Sequence, residues 1–205
     1  CSTMFHLAKM GCSDVLLLER DELTSGSTWH AAGNVPTYST SWSVMKVQSY
    51  SAALFRELAQ DPEFPITYHV TGSVRLAHGA ERIAEFRHVT SMANAQGMGY
   101  DMLTPEQLVE RYPLIETHDL AGALWDPLDG DIDPSQVTQA MARAGRALGA
   151  RVRRFERVVA LEQHPNHSWT VTTRTADGEH HVVDCEIVVN AAGYRAGEVM
   201  QLIGR

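Results

Sequence analysis

Both ends of this 205-residue chain carry the same kind of local pattern, and this pattern most constrains the fold. Near the amino terminus, a helical pattern over 2–10 precedes the apolar run Asp14-Val-Leu-Leu-Leu-Glu19. Near the carboxyl terminus, Glu186-Ile-Val-Val-Asn190 leads into Ala191-Ala-Gly193 and a helical pattern over 194–204. Short apolar runs flanked by helices are typical of buried parallel strands. The two ends therefore predict a single α/β layer.

The middle of the chain has a different pattern. Apolar residues at helical spacing predict helices over 41–60 and 79–97, and the capping box Thr104-Pro-Glu-Gln107 predicts a further short helix. Four β patterns with an Asp177-Gly178 hairpin turn precede the last apolar run. These patterns predict an α/β domain interrupted by an α+β substrate or cap region. The predicted segments are 1–35 and 146–205 for the α/β domain and 36–145 for the insertion.

Composition excludes several classes of partner. The chain has 17 Lys and Arg against 25 Asp and Glu, a net charge of −8, which disfavours binding to nucleic acid or to anionic lipid. No apolar run approaches the roughly 20 residues of a membrane span. A calcium loop is disfavoured because Val137 stands where an EF-hand needs its bidentate Glu. We therefore predict no nucleic acid, no membrane and no metal.

Glu19 ends the first apolar run in the way of a ribose-binding acid. In dinucleotide-binding folds, a glycine-rich turn opens the first helix, and an acidic residue about 20 positions further on accepts hydrogen bonds from ribose hydroxyls. Cys1 lies 18 residues before Glu19, so we expect the glycines immediately before residue 1. The same order of helix, glycine, strand and acid also fits other α/β proteins, and this alternative stays open.

The segment after Glu19 combines small residues with one histidine. Residues 24–33 read Thr-Ser-Gly-Ser-Thr-Trp-His-Ala-Ala-Gly. Small side chains let backbone N–H groups approach an anion or a flat ring closely, and His30 would then lie beside it. A solvated loop histidine is the alternative. Trp29 would either form a wall of the pocket or be buried as a structural residue.

Four strings of residues resemble the dimethylglycine dehydrogenase/sarcosine dehydrogenase family, within the glycine-oxidase-like flavin amine oxidoreductases. They occur in that family's order and cover essentially the whole chain. The most specific is Ser27-Thr-Trp-His-Ala-Ala-Gly33, in the region where the family attaches its flavin. The others are Thr71-Gly-Ser-Val-Arg-Leu-Ala77, Ala123-Leu-Trp-Asp-Pro-Leu-Asp-Gly-Asp-Ile-Asp-Pro134 and Val188-Val-Asn-Ala-Ala-Gly193.

The resemblance implies a Rossmann-like FAD-binding domain whose first strand and glycine turn are missing from these residues. It places Glu19 and Arg20 at the adenosine ribose and the backbone of Val158 at the adenine. It implies that His30 carries FAD covalently, through a bond from an imidazole nitrogen to the 8α-methyl carbon. The remaining implied cofactor-binding residues are Ser25, Gly26, Ser27, Thr28, Ala31, Ala32, Gly33, Ala191, Ala192 and Gly193. Arg195 stands where the family has an aromatic residue, so we assign it no role.

The resemblance also implies the reaction: hydride transfer to the flavin from an N-methyl group of dimethylglycine, sarcosine or a relative. It implies an electron-transfer flavoprotein or oxygen as acceptor, and a tetrahydrofolate module outside these residues. The location would be cytoplasmic in a bacterium and the mitochondrial matrix in a eukaryote.

A non-catalytic regulatory relative and an oxidase with non-covalent FAD remain alternatives. Arg75 is a candidate for the substrate carboxylate, against a strand-surface role; no catalytic residue is assigned. We expect residues 1–205 alone to retain FAD weakly and to be inactive.

Overall fold

The computed structural model describes residues 1–12 and 14–203, and the chain forms two compact units. The terminal unit comprises Cys1–Ala31 and Thr138–Arg205, and the middle unit comprises Ala32–Val137. Both ends of the chain thus belong to one unit, and the middle forms the other. The sequence placed the two boundaries at 35/36 and at 145/146, a few residues beyond those of the structure.

The described residues contain six α-helices and eleven short strands. The helices are α1 (Ser2–Lys9), α2 (Trp42–Ala59), α3 (Ala80–Ala95), α4 (Pro105–Arg111), α5 (Pro134–Ala147) and α6 (Ala196–Met200). The strands are β1 (Leu16–Leu18), β2 (Asn34–Val35), β3 (Tyr68–Val70), β4 (Ser73–Ala77), β5 (Asp101–Leu103), β6 (Gly122–Asp126), β7 (Gly130–Ile132), β8 (Arg151–Arg153), β9 (Glu156–Gln163), β10 (Trp169–Thr175) and β11 (His180–Cys185). Short 3₁₀ helices cover Thr28–His30 and Gly193–Arg195.

The terminal unit is built on the parallel pairing of β1 with β8, as the apolar run of the first segment predicts. Met4 and Ala8 of α1 pack with Ala142 of α5 and with Ala150 in its core. Gly145 allows this close approach, since a Cβ there would lie 2.8 Å from Cε of Met4. Beside the pair, β9, β10 and β11 form an antiparallel sheet with β10 in the centre.

The middle unit has its core around the antiparallel sheet β4-β6-β5. Phe86, Val89 and Ala93 of α3 pack with Leu124 of β6 in one buried cluster. Leu108 of α4 packs with the neighbouring strand residues Leu103 and Ala123 in another cluster. The capping box predicted at Thr104 is present, because its side chain accepts from the Gln107 backbone and the Gln107 side chain accepts from the Thr104 backbone.

A buried polar cluster joins several elements of the middle unit. The Thr37 hydroxyl donates to Asp126 Oδ2 at 2.7 Å and lies 2.9 Å from the Tyr100 hydroxyl. Asp129 accepts from the Thr37 backbone N–H at 2.6 Å and from the Ser73 hydroxyl. Buried polar groups stabilise a fold only when they are paired, so this cluster holds the residues after β2 against the turn between β6 and β7.

The carboxyl groups of Asp126 and Asp129 ionise at different pH values. Burial, followed by the neighbouring Asp129, raises the pKa of Asp126 to about 6. Burial also opposes ionisation of Asp129, but hydrogen bonds from Asp126, Ser73 and Thr37, together with the Arg75 charge, lower its pKa overall. Asp129 is therefore the ionised member of the pair, and Asp126 holds its proton into the mildly acidic range.

Two predicted elements near the carboxyl terminus differ from the structure. Residues 186–190 do not form the predicted strand: they have no ladder partner among the described residues, and Ile187 and Val189 are 77% and 56% exposed. A strand needs a hydrogen-bonded neighbour as well as apolar side chains. The predicted helix over 194–204 is shorter, with a 3₁₀ turn followed by α6; positions 204 and 205 lie outside the described residues.

The sequence patterns did not indicate β2, β3, β5 and β7. These strands have only two or three residues each, and their partners lie far away in the chain, as in the pairing of β2 with β7.

Gly72, which precedes β4, has a φ of 68°, and a Cβ there would overlap the Trp125 ring. Within the described residues, no helix is long and apolar enough to cross a membrane.

The raised pKa of Asp126 predicts a pH-dependent stability. Between about pH 4 and pH 6 the folded chain keeps a proton on Asp126 that the unfolded chain has lost, so the free energy of unfolding falls as pH rises through this window. We expect a loss of about 2 kcal/mol between pH 4 and pH 7. Below pH 4 the lowered pKa of Asp129 acts in the opposite direction.

Asp126→Asn tests this prediction in urea titrations at several pH values. The amide keeps an acceptor for the Leu128 N–H and a donor toward Asp129, so the decline between pH 4 and pH 7 is expected to disappear. Asp131→Asn is the matched control, because the Asp131 side chain is 51% exposed. An unchanged decline in Asp126→Asn would contradict the assignment.

Candidate active site

Glu19 follows β1 directly, at the carboxyl end of the parallel pair. Its carboxylate is half-buried, and Oε1 accepts from the Asp21 backbone N–H at 3.0 Å. Oε2 has no hydrogen-bond partner in the part of the chain that the structure describes. Ligands of open α/β sheets bind at the carboxyl ends of the strands, and a free carboxylate oxygen there suits the hydroxyls of a ribose. Arg20 instead turns to Asp21, at 2.7 Å.

The small-residue loop after Glu19 is exposed and carries the predicted histidine on a 3₁₀ turn. Ser25, Gly26 and Ser27 are exposed, and a Cβ on Gly26 would meet nothing within 4 Å. The rings of Trp29 and His30 lie against each other, with centroids 3.7 Å apart and planes 32° from parallel. Trp29 is 59% exposed, so the alternative of a buried structural tryptophan is wrong.

His30 has its ring nitrogens free of hydrogen bonds within residues 1–12 and 14–203. An imidazole nitrogen that takes part in no hydrogen bond is sterically available to act as a nucleophile. Stacking on Trp29 restricts the rotation of the ring without occupying either nitrogen. The geometry therefore gives His30 the chemical properties that attachment to an electrophilic carbon requires.

The end of the Ser27–Gly33 string belongs to the middle unit. Thr28 and Ala31 lie in the terminal unit, whereas Ala32 and Gly33 lie in the other. Gly33 is buried with a φ of 80°, and a Cβ there would overlap the Ile132 carbonyl oxygen. Its own carbonyl accepts from the Ile132 N–H at 2.9 Å. Gly33 thus has a packing role next to β2, independent of any cofactor.

The remaining predicted cofactor residues lie in the second segment of the terminal unit. Val158 is half-buried on β9, an edge strand of its sheet, and an edge strand offers unpaired backbone groups to a ligand. Ala191, Ala192 and Gly193 are exposed in a turn where the Asn190 side chain accepts from the Ala192 N–H and donates to the Ala196 carbonyl. Gly193 has a φ of 57°, and a Cβ there would meet nothing within 4 Å, which leaves room for close approach.

Arg75 is already engaged within the middle unit. Its guanidinium donates to the Ser73 hydroxyl at 2.8 Å, lies 3.3 Å from Asp129 Oδ2 and stacks 4.3 Å above the Tyr38 ring. Because Asp129 compensates its charge, Arg75 is a structural residue of the buried polar cluster. This arrangement disfavours recognition of a substrate carboxylate, and it also differs from the strand-surface role, since Arg75 pairs with the buried Asp129.

Sequence reasoning missed one group of titratable residues beside Glu19. Glu156, which is buried, lies near Arg153 and His181 and accepts from the Thr173 hydroxyl at 2.9 Å. The alternation of inward and outward residues along β9, β10 and β11 could have placed Thr173 and His181 on one face, but the bulge between Thr172 and Thr173 obscures this alternation.

Within the described ranges, no three His, Cys, Asp or Glu side chains are placed to hold a metal ion.

The family model for FAD dependent oxidoreductases matches residues 1–205. The chain belongs to this family. Rat dimethylglycine dehydrogenase, a mitochondrial protein, is 35% identical over 203 residues, which are 99% of this chain and 23% of that protein. Human mitochondrial sarcosine dehydrogenase is 31% identical, over 100% of this chain and 22% of that protein.

A third relative is not an oxidoreductase by name. The mouse pyruvate dehydrogenase phosphatase regulatory subunit, also mitochondrial, is 31% identical, over 97% of this chain and 22% of that protein. The chain thus spans less than a quarter of the length of each of these relatives.

Solved structures agree on the fold. L-proline dehydrogenase from P. horikoshii superimposes with a TM-score of 0.83 at 24% identity, over 97% of this chain and 51% of that one. Glycine oxidase from Geobacillus kaustophilus gives a TM-score of 0.70 at 24% identity, over 95% and 53%. The α/β fold with an inserted α+β region predicted from the sequence is therefore the fold of FAD-dependent oxidoreductases.

The residues of the terminal unit fit FAD. The free carboxylate oxygen of Glu19 suits a ribose, the exposed small-residue loop leaves backbone groups accessible, and His30 offers a free imidazole nitrogen. FAD supplies a hydride acceptor when bound. In such a complex Glu19, His30 and the small-residue loop would bind and orient the cofactor.

His30→Ala is expected to leave the stability of the flavin-free protein unchanged. The side chain is exposed and contributes only its stacking on Trp29, so the free energy of unfolding should change by less than about 0.5 kcal/mol. Met4→Ala is the contrasting variant, because Met4 is 3% exposed in the core of the same unit and should lose about 2–5 kcal/mol. A clear loss in His30→Ala by urea unfolding would show that His30 is structural.

Proposed function

We propose that this chain is the FAD-binding part of an oxidoreductase that demethylates an N-methyl amino acid such as dimethylglycine or sarcosine. The free, exposed imidazole of His30, within a string that resembles the flavin-attachment region of the dimethylglycine dehydrogenase/sarcosine dehydrogenase family, carries this proposal. The 35% and 31% identity to dimethylglycine and sarcosine dehydrogenases supports the substrate class.

His30 is the proposed point of covalent attachment. An imidazole nitrogen would bond to the 8α-methyl carbon of the isoalloxazine, and bond formation releases two protons and two electrons to an acceptor such as oxygen. Stacking on Trp29 orients the imidazole before attachment. The exposed residues Ser25, Gly26 and Ser27 give the ring room to approach, since a Cβ on Gly26 would meet nothing within 4 Å.

Glu19 is proposed to hold the other end of the cofactor, with Val158 at the adenine and the Ala191–Gly193 turn at the pyrophosphate. Glu19 Oε2 has no hydrogen-bond partner among the described residues, and the open space at Gly193 permits a phosphate to approach the backbone. We also propose that an electron-transfer flavoprotein accepts the electrons. A tetrahydrofolate module elsewhere in the protein would take up the one-carbon unit.

Two other functions are distinguishable from this one. The identity to the pyruvate dehydrogenase phosphatase regulatory subunit supports a non-catalytic relative, and the fold of glycine oxidase supports an oxidase with non-covalent FAD. Formaldehyde release by the full-length protein from dimethylglycine or sarcosine, with an artificial electron acceptor, tests for the demethylase. Formaldehyde should form from these two and not from glycine; absence of all turnover would favour the regulatory relative.

Attachment of the flavin is tested on the denatured protein. After precipitation in acid and washing, flavin fluorescence should remain on the polypeptide of the parent and disappear in His30→Ala. His88→Ala is the matched control, since His88 is also exposed but lies on α3 in the middle unit. Flavin that washes off the parent would indicate the oxidase type, and flavin that stays on His30→Ala would show a different attachment residue.

A further inference from the structure

The backbone of Glu19 is held from both sides by the residues that connect β8 to β9. The Glu19 N–H donates to the Arg153 carbonyl at 2.9 Å, and the Glu19 carbonyl accepts from the Glu156 N–H at 3.0 Å. The position of the Glu19 carboxylate therefore depends on the conformation of Arg153–Glu156.

Residues Arg153–Glu156 form a tight turn that contacts the residues after Glu19. Phe155 has a φ of 61°, which is unfavourable for a residue other than glycine, and its N–H points to the Asp21 carbonyl at 3.4 Å. Arg154 forms a two-pronged ion pair with Glu22, with Nη1 2.7 and 2.6 Å from the two carboxylate oxygens. A strained backbone persists only where its surroundings hold it in place.

The side chain of Glu156 helps to hold this turn in place from the buried face of the sheet. Its side chain is 10% exposed, and Oε2 accepts from the fully buried Thr173 hydroxyl at 2.9 Å. Arg153 lies 3.8 Å from Oε2, and Nδ1 of His181 lies 3.4 Å from Oε1 without forming a hydrogen bond. One carboxylate thus connects the ends of β8, β9, β10 and β11 at the point where the chain meets Glu19.

We propose that Glu156 is a positioning residue for the adenosine half of the cofactor. It fixes the Arg153–Glu156 turn, and this turn fixes the backbone on which Glu19 presents its carboxylate to the ribose. The inference rests on the proposed function, because it assumes that Glu19 binds the ribose. It adds to that function a buried residue, which acts through Glu19 and does not touch the cofactor.

Binding measurements with two ligands test the proposal. On a His30→Ala background of the full-length protein, which prevents covalent attachment, calorimetry gives the dissociation constants of FAD and of ADP, which contains only the adenosine half. Glu156→Ala leaves the Thr173 hydroxyl and the Arg153 charge without their partner, and it should weaken both ligands by the same factor, about tenfold. Glu162→Ala, an exposed residue on the same strand, is the matched control and should change neither.

Two further variants keep the test decisive if Glu156→Ala folds poorly. Glu156→Gln still accepts from Thr173 and should restore both affinities to within about threefold of the parent. Thr173→Val removes one hydrogen bond at nearly constant volume and should weaken both ligands by about threefold. Thermal unfolding without nucleotide reports the structural effect of each variant separately.

The outcomes separate the inference from the proposed function. If Glu156→Ala and Thr173→Val lower Tm but leave both dissociation constants within about twofold of the parent, Glu156 is only structural and the inference is wrong. If FAD is weakened while ADP is not, Glu156 does not act on the adenosine half, and the inference is also wrong. If the His30→Ala parent binds neither ligand, the proposed function has failed and the inference falls with it.

Discussion

The parallel pairing of Leu16–Leu18 with Arg151–Arg153 is the contact on which the rest of the terminal unit depends. It brings together Asp14 and Arg151, which are 137 positions apart and joined by a 2.6 Å ion pair. Closing so long a loop costs entropy that the apolar contacts of α1 and α5 with the two strands offset. Because Glu19 follows the last paired residue and its N–H donates to the Arg153 carbonyl, the same contact places the proposed ribose acid next to the turn that holds it.

The insertion folds around separate interactions. Its helices pack on the sheet β4-β6-β5, and its polar cluster of Thr37, Tyr100, Asp126 and Asp129 anchors the residues that follow β2. The string that carries His30 ends at Gly33, whose positive φ and tight packing against Ile132 begin this second unit. The histidine thus lies just before the point where the chain leaves one compact unit for the other.

Local patterns predicted what local interactions determine. The apolar run before Glu19, the capping box at Thr104 and the Asp177-Gly178 hairpin are encoded in neighbouring residues, and the structure contains each. The strand predicted at 186–190 is absent because its apolar residues have no hydrogen-bonding neighbour among the described residues. The Glu156 cluster was not predicted because it assembles residues from four strands, one of them shifted by a bulge. The role of His30 came from the resemblance and not from its spacing.

The central claim is that the terminal unit holds FAD between Glu19 and His30. A crystal structure of the protein with its flavin tests this claim most directly. The account predicts that ribose hydroxyls lie within about 3.2 Å of the Glu19 carboxylate, with continuous electron density from the His30 imidazole to the 8α-carbon. An adenosine bound away from Glu19, or an isoalloxazine distant from His30, would contradict it.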